Sequence, residues 1–117
     1  MKILLGLFCL LSLSVLSLKA QTAPLGTWNT GTDNTLIQIA EAEGTYVGTL
    51  IASDNPEAKI GKQLIKDFKP DGEGWTAKLY APKRGEWLDA SLETKDNLLL
   101  ITVGSGLMSK TLKWTKQ

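Results

Sequence analysis

The chain has 117 residues, with 13 lysines and arginines against 12 carboxylates, no histidine and one cysteine. A balance this close to neutral gives no reason to expect nucleic acid or an anionic membrane as the partner. Without histidine, catalysis by a serine–histidine pair and zinc sites built on imidazole are both excluded.

Residues 1–20 have the pattern of a secretory signal peptide. Lys2 precedes an apolar stretch that ends at about Leu18, and Ala20 is a small residue at the expected cleavage position. The stretch is short for a spanning helix, which needs about 20 apolar residues, and no second stretch of that length follows. We therefore expect export to the periplasm or beyond, no membrane span after cleavage, and a single mature domain over residues 21–117.

Cleavage would remove the only cysteine, Cys9, together with two of the lysines. The remaining 97 residues (117 less 20) carry 11 basic and 12 acidic groups and are enough for one domain. With no thiol, the domain can form no disulfide and can use no thiolate for catalysis or for metal binding. Its stability must come from packing.

Short apolar and β-branched runs alternate with clusters of Gly, Asp, Asn and Pro along the rest of the chain. This pattern is typical of antiparallel strands that follow one another in a meander. We predict seven strands, over Gly26–Thr30, Thr35–Glu41, Thr45–Ala52, Gly74–Tyr80, Glu86–Glu93, Leu98–Val103 and Ser109–Thr115.

The sequence of the three predicted strands between Gly74 and Val103 is sufficient to predict how they pair. If Pro82 to Gly85 form a four-residue turn, Tyr80 lies opposite Trp87. Polar residues then share one face and apolar residues the other, and a slip of one residue would turn every apolar side chain to solvent. The paired residues are Lys78 with Asp89, Thr76 with Ser91, Leu79 with Leu88, Ala77 with Ala90 and Trp75 with Leu92. Across the next turn we expect Leu92 opposite Leu99, Ala90 opposite Ile101 and Leu88 opposite Val103.

Two other hairpins are less determined by the sequence. Between Thr35 and Ala52 both faces carry apolar residues, so the inner face stays open. In the last hairpin, which turns through Gly104 to Gly106, two registers are possible, but both place Leu112 and Trp114 on the face of Leu99 and Ile101.

The segment between the third and fourth strands has a different period. Ile60, Leu64, Ile65 and Phe68 are spaced as on one side of a helix, and lysines occupy the other side. Asp54 or Asn55 could cap the start, Pro56 suits the first helical position, and Pro70 would end the helix. We predict one short amphipathic helix, with an irregular or partly extended segment as the alternative.

Seven short strands and one helix are best satisfied by a small antiparallel meander β-barrel, a mainly β fold. Closure removes exposed strand edges. Trp28 begins the first strand and Trp114 ends the last, so closure would bring these rings together as a plug. The alternative is that Trp28 lines the mouth of a ligand site.

Four segments, LGTWNT, GKQLIKDFKPDGEGW, KLYAPKRGEWLDASL and SGLMSKTLKWTK, resemble the bacterial secreted family known as domain of unknown function 2147 (DUF2147). The resemblance covers the mature chain. The family's features fall on Gly26 and Trp28, Asn55 and Pro56, Gly61, Lys69 to Gly72, Tyr80 and Pro82, and Trp114 to Lys116. Thr76 and Ala77 replace its paired glycines, and Ala81 replaces an acidic residue. The resemblance implies a lipocalin-like barrel outside the cytoplasm and no particular activity.

The carboxylates near the helical segment, Asp54, Asp67 and Asp71, are explained by caps and turns, and the PDGEG turn lacks the ligand spacing of a calcium loop. We therefore expect no catalytic residue, no metal and no cofactor. The lysine row of the helical segment is interpreted as a solvated face, with an anionic head group as the alternative.

The strongest candidate contact site is aromatic. Tyr80 and Trp87 are predicted side by side, next to Lys78 and Asp89 and on the same face as Leu98 and Leu100. Such a surface marks a contact site, or else plain cross-strand stabilisation or a face covered by another part of the chain. We expect a non-enzymatic barrel that binds a small amphiphile, with Trp28 as a further candidate contact. The alternative is a structural or interaction protein of the cell envelope, with a filled barrel that contacts another envelope protein.

Overall fold

A computed structural model describes residues 23–104 and 109–117, and the predicted signal peptide and Ser105 lie outside these residues. Eight consecutive antiparallel strands form a closed barrel in chain order. They are β1 (Gly26–Asn29), β2 (Leu36–Ala42), β3 (Thr45–Ala52), β4 (Gln63–Asp71), β5 (Gly74–Ala81), β6 (Glu86–Lys95), β7 (Leu98–Val103) and β8 (Lys110–Lys116). The predicted mainly β meander barrel is confirmed, with eight strands instead of seven.

The predicted helix is wrong, because its second half forms strand β4 and the described residues contain no helix. The helical spacing arises from a β-bulge. The register with β5 shifts between Lys66 and Lys69, and Asp67 adopts a positive φ of 56°. The extra residue turns both Ile65 and Phe68 inward although they are three positions apart. Three-residue apolar spacing, which usually indicates a helix, here marks a bulged strand.

The register predicted for β5 and β6 is confirmed at every pair. Tyr80 opposes Trp87, Lys78 opposes Asp89 and Leu79 opposes Leu88. One polar and one apolar face result, as the alternation requires. The agreement follows from the length of the connection, residues 82–85, because Pro82 and Gly85 indicate a four-residue turn and the turn length sets the register.

Strands β6 and β7 pair two residues away from the predicted register. Leu92 opposes Ile101, and Leu99 opposes Thr94. Both strands extend to a two-residue turn at Asp96 and Asn97, where Asp96 has a positive φ of 58°. A shift of two residues preserves the side-chain parity, so the apolar faces still meet.

The inner face of the β2–β3 hairpin consists of Ile37, Ile39 and Leu50, which are buried. Ile37 opposes Leu50, and Ile39 opposes Gly48. Gly48 lets strand β4 pack closely here: a Cβ on it would lie 2.9 Å from Cγ1 of Ile65. Leu112 and Trp114 oppose Ile101 and Leu99, which confirms their predicted face.

The barrel has two unlike ends. Successive strands alternate in direction, so the short turns at residues 43–44, 72–73 and 96–97 lie at one end, which we call the turn end. Residues 30–35, 53–62 and 82–85 connect strands at the other end, the loop end, where β7 also ends and β8 begins. Near the turn end, the rings of Tyr46, Phe68 and Trp75 make edge-to-face contacts with centroids 5.5–6.4 Å apart.

The core contains only apolar side chains among the described residues. Its members are Trp28, Ile37, Ile39, Leu50, Ile65, Phe68, Trp75, Ala77, Ala90, Leu92, Leu99, Ile101 and Trp114. Of the five residues predicted to share a dry interior, Ala90, Leu99 and Ile101 are in the core and Leu79 packs partly buried against it, whereas Leu88 is partly exposed and lies outside the core cluster.

The barrel closes where β1 meets β8, through the pairs Trp28 with Lys116 and Asn29 with Thr115. Trp28 is 2% exposed and its indole N–H donates to the Pro24 carbonyl at 3.0 Å. The Lys116 ammonium lies 4.9 Å from the centroid of the same ring and donates to the Leu25 carbonyl at 2.9 Å. Trp28 and Lys116 are directly opposed and share a face, so Trp28 holds the closure from the core and Lys116 covers its ring at the end of the barrel.

Replacing Gly48 with alanine is expected to destabilise the barrel by roughly 1–3 kcal/mol, because the new methyl group overlaps the Ile65 side chain. Urea unfolding measures the change. Combining Gly48→Ala with Ile65→Val should recover part of the lost stability, because valine lacks the Cδ1 methyl group of isoleucine and leaves room for the alanine side chain. A Gly48→Ala protein as stable as wild type would contradict the close packing of β3 on β4.

Lys116→Ala should lower the free energy of unfolding by about 1 kcal/mol, through loss of the ring contact and of the hydrogen bond to Leu25. Lys113→Ala is the matched control, because Lys113 is exposed on the same strand and forms no ion pair or ring contact within the described residues. Equal effects of the two substitutions on urea midpoints would show that Lys116 does not fasten the closure.

Candidate functional site

Three cross-strand pairs line up on the outer face of β5 and β6. They are Tyr80 with Trp87, Lys78 with Asp89 and Thr76 with Ser91. The two rings make an edge-to-face contact, with centroids 5.3 Å apart and planes at 63°. The Lys78 ammonium donates to a carboxylate oxygen of Asp89. This pair is largely exposed, so it contributes little stability and mainly fixes two side chains.

Two lysines from the region of β4 lie over the aromatic pair. The Lys62 ammonium is 4.3 Å from the Tyr80 ring centroid, and the Lys66 ammonium is 4.2 Å from that of Trp87. Such contacts stabilise a cation by about 0.5–1 kcal/mol at exposed sites. We call Lys62, Lys66, Tyr80 and Trp87 the lysine–aromatic patch.

Neither lysine of this patch has an acidic partner within residues 23–104 and 109–117. The ion pairs in that part of the chain are Lys78 with Asp89 and Arg84 with Glu86. The two carboxylates nearest in sequence to the aromatic pair therefore already bind other cations. The positive charge of the patch remains available.

The structure brings four of the five predicted contact residues together, Lys78, Tyr80, Trp87 and Asp89. Trp28 is not among them, because it is buried on β1 with its N–H group occupied. Leu98 and Leu100, on the same face, oppose Lys95 and Glu93 at the turn end of β6, whereas Trp87 is the second residue from its loop end. These leucines lie outside the patch.

The sequence interpretation missed Lys62 and Lys66 as members of the site. The predicted helix would place them on its solvated side, whereas the structure places them beside Tyr80 and Trp87. The feature that identifies these two lysines as part of the site is strand β4. Once β4 is paired with β5, Lys66 lies opposite Lys78 and shares its outer face.

A polar groove continues from these pairs toward the turn end of the same face. It encloses about 820 Å³ and is open to solvent. Eight of its twelve lining residues are polar, including Thr76, Lys78, Asp89, Ser91 and Thr102. Such a groove differs from the enclosed, mainly apolar pockets that bury most of a small ligand.

The interior of the barrel differs between its two ends. Toward the turn end, Trp75, Phe68 and Trp114 are at most 9% exposed. Toward the loop end, four inward-facing aliphatic residues on β5 to β8 are only partly buried, whereas Ile37, Leu50 and Ile65 on β2 to β4 are buried. We call these four the loop-end mouth: Leu79, Leu88, Val103 and Leu112. Ala77 and Ala90 form the adjacent layer.

The carboxylates near the predicted helix have structural roles. Asp54 accepts a hydrogen bond from the Asn34 amide at 2.6 Å, and its backbone N–H donates to the Asp33 carbonyl. Asp67 occupies the bulge. Within the described ranges, no three potential ligands among acidic, histidine and cysteine side chains are grouped to hold a metal ion.

The match to a family model coincides with the barrel. The model is described as an uncharacterized protein conserved in bacteria, DUF2147, and it matches residues 26–116. The chain belongs to the DUF2147 family. The match begins at the first residue of β1 and ends at the last residue of β8, so the whole barrel is the family domain. No curated protein and no solved structure matches the chain. None of the described residues forms a helix that is long and apolar enough to cross a membrane.

The contact between Tyr80 and Trp87 should show as an energetic coupling. We expect a double-mutant cycle of Tyr80→Ala and Trp87→Ala to give about 0.5–1 kcal/mol in urea unfolding, because an edge-to-face pair stabilises beyond area burial. A cycle pairing Tyr80→Ala with Thr111→Ala, on distant β8, should give additive changes. Additivity in the first cycle would show that the rings do not interact.

Proposed function

We propose that this protein is an exported, non-enzymatic binding protein that holds the apolar part of a small amphiphile in the loop-end mouth. The supporting observation is the contrast between the two ends of the interior. On β5 to β8, inward-facing aliphatic side chains stay partly exposed at the loop end, whereas aromatic rings occupy the turn end. Partly exposed apolar residues on adjacent strands are where an apolar chain gains by desolvation.

The size of the barrel suits this function. An eight-stranded barrel is wide enough to be filled by side chains or to hold one small ligand. Here the layer below the mouth contains Ala77 and Ala90. Short side chains at this level leave less of the cross-section filled than the tryptophans do at the turn end. The ligand would therefore enter at the loop end and stop above the aromatic layer.

The amphiphile needs a polar end because the mouth is surrounded by polar connections. Residues 53–62 and 82–85 carry Lys59, Lys83 and Arg84 beside Asp54 and Glu57. These side chains would contact a polar group left outside the mouth. The absence of histidine from the chain supports binding without catalysis by an imidazole base.

The test is native mass spectrometry of the protein purified from its own host, followed by titration with dodecanoate. Wild type should retain a small bound mass and bind the probe. Leu112→Glu should weaken binding at least tenfold, because a carboxylate in the mouth must be desolvated by the apolar chain. Leu88→Trp should weaken it by filling the mouth without adding charge.

Trp87→Ala is the control, because this ring lies on the outer face next to Leu88. It should leave dodecanoate binding unchanged. If no small molecule is retained, dodecanoate does not bind, and Trp87→Ala instead abolishes capture of an envelope protein, the alternative of a filled barrel with an external partner replaces this proposal. The polar groove beside Lys78 and Asp89 is the observation that favours that alternative.

A further inference from the structure

We infer that the loop end of the barrel docks onto an anionic lipid surface through the lysine–aromatic patch. This inference concerns the outer wall and does not depend on a ligand in the mouth. Its first support is charge: Lys62 and Lys66 have no carboxylate partner within residues 23–104 and 109–117. Ammonium groups held in this way are attracted to lipid phosphates.

The second support is the chemistry of the surrounding side chains. Tyr80 and Trp87 are partly buried amphipathic rings, the kind of residue that is enriched where protein meets the boundary between lipid and water. Ile51 and Ile60 are among the exposed large apolar residues, at 37% and 59%. Gly61 and Leu50 are joined by a 2.7 Å backbone hydrogen bond, so the two isoleucines lie beside this junction.

The exposed isoleucines and the patch lie at the same end of the barrel. Ile51 is near the end of β3, Ile60 precedes β4, and Tyr80 and Trp87 flank the connection between β5 and β6. Lysines beside exposed aliphatic and aromatic groups form the combination that binds membrane interfaces. An aqueous anion alone would give the isoleucines no apolar environment, which is why a lipid surface is favoured over free phosphate.

The third support is the difference in charge between the ends. Each of the three tight turns carries one carboxylate and no cation: Glu43, Glu73 and Asp96. At the loop end, Lys59, Lys62, Lys83 and Arg84 stand beside Asp33, Asp54 and Glu57, and Arg84 is paired with Glu86. The named loop-end cations and carboxylates balance, four against four, whereas the three tight turns carry only carboxylates, so an anionic surface would repel the turn end more than the loop end. The near-neutral net charge of the chain does not reveal this difference between the two ends.

The experiment is sedimentation of the protein, purified from its own host, with vesicles of phosphatidylcholine alone and of phosphatidylcholine mixed equally with phosphatidylglycerol. Wild type should bind the mixed vesicles, bind neutral vesicles weakly, and lose binding as salt rises. Lys62→Gln with Lys66→Gln should reduce partitioning roughly 10- to 30-fold, because each basic residue near an anionic surface contributes separately.

Lys69→Gln with Lys95→Gln is the matched control, because it makes the same charge change away from the patch. It should retain most of the binding, and Ile60→Ser should reduce binding without changing its salt dependence. Urea midpoints of all variants should confirm that they fold. The inference is overturned if both double variants lose binding equally, if neutral vesicles bind equally well, or if millimolar inorganic phosphate alone displaces the protein, which would indicate a site for a free anion.

The outcome is separable from the test of the mouth. Leu88→Trp, which adds no charge, should impair dodecanoate binding and leave sedimentation with mixed vesicles unchanged. The Lys62→Gln, Lys66→Gln variant should leave the bound small mass in place. If the mouth variant loses vesicle binding, or if the lysine variant loses the bound small mass, the two surfaces are not separate sites and the corresponding assignment is wrong.

Discussion

The seam between β1 and β8 is the constraint on which the rest of the barrel depends. It joins the sheet through only two residue pairs, far fewer than the seven that join β5 to β6. The Trp28 ring and the Lys116 ammonium compensate for this short ladder, one from the core and one from the surface. Gly26, with a φ of 123°, leaves room for Lys116, since a Cβ there would lie 2.7 Å from its ammonium nitrogen. Gly26 and Trp28, near the start of the domain, and Lys116, near its C-terminus, therefore form one structural unit.

The closure of the barrel explains why its interior can be wholly apolar. The chain has no cysteine after Cys9, so no disulfide can stabilise the barrel. A closed sheet satisfies the backbone groups of every strand with its neighbours, so no polar side chain is needed inside to pair with an open edge. The described core indeed contains no buried polar residue. Stability then rests on side-chain fit, which is visible where Ile65 packs directly onto Gly48.

The hairpin of β5 and β6 could be predicted residue by residue, because its faces differ sharply in polarity and its turn fixes the register. The next pair, β6 and β7, could be predicted only in parity. A shift of two residues keeps Leu92, Leu99 and Ile101 facing inward, so the apolar pattern does not distinguish the two registers. The tight turn at Asp96 and Asn97 decides between them through backbone geometry.

Strand β4 shows where pattern reasoning fails. An inserted residue changes the apolar period from two to three, and Ile65 and Phe68 then imitate the spacing of a helix. The same error removed Lys62 and Lys66 from the candidate site, because a helix would have pointed them to solvent away from the sheet. The aromatic half of the site could be derived from the strand register, but its cationic half depends on the bulged strand.

The two ends of the barrel differ in a consistent way that links packing to charge. Two-residue turns allow neighbouring strands to stay close, and the large rings of Tyr46, Phe68 and Trp75 fill the space between them. At the other end, Ala81 still pairs with Glu86 and Val103 with Lys110, so the strands stay together up to their connections. The inward-facing leucines of β5, β6 and β8 are nevertheless partly exposed there. The connection 53–62 carries Lys62 and the exposed Ile60 at the same end. The proposed mouth and the proposed docking surface would therefore face the same side of the barrel.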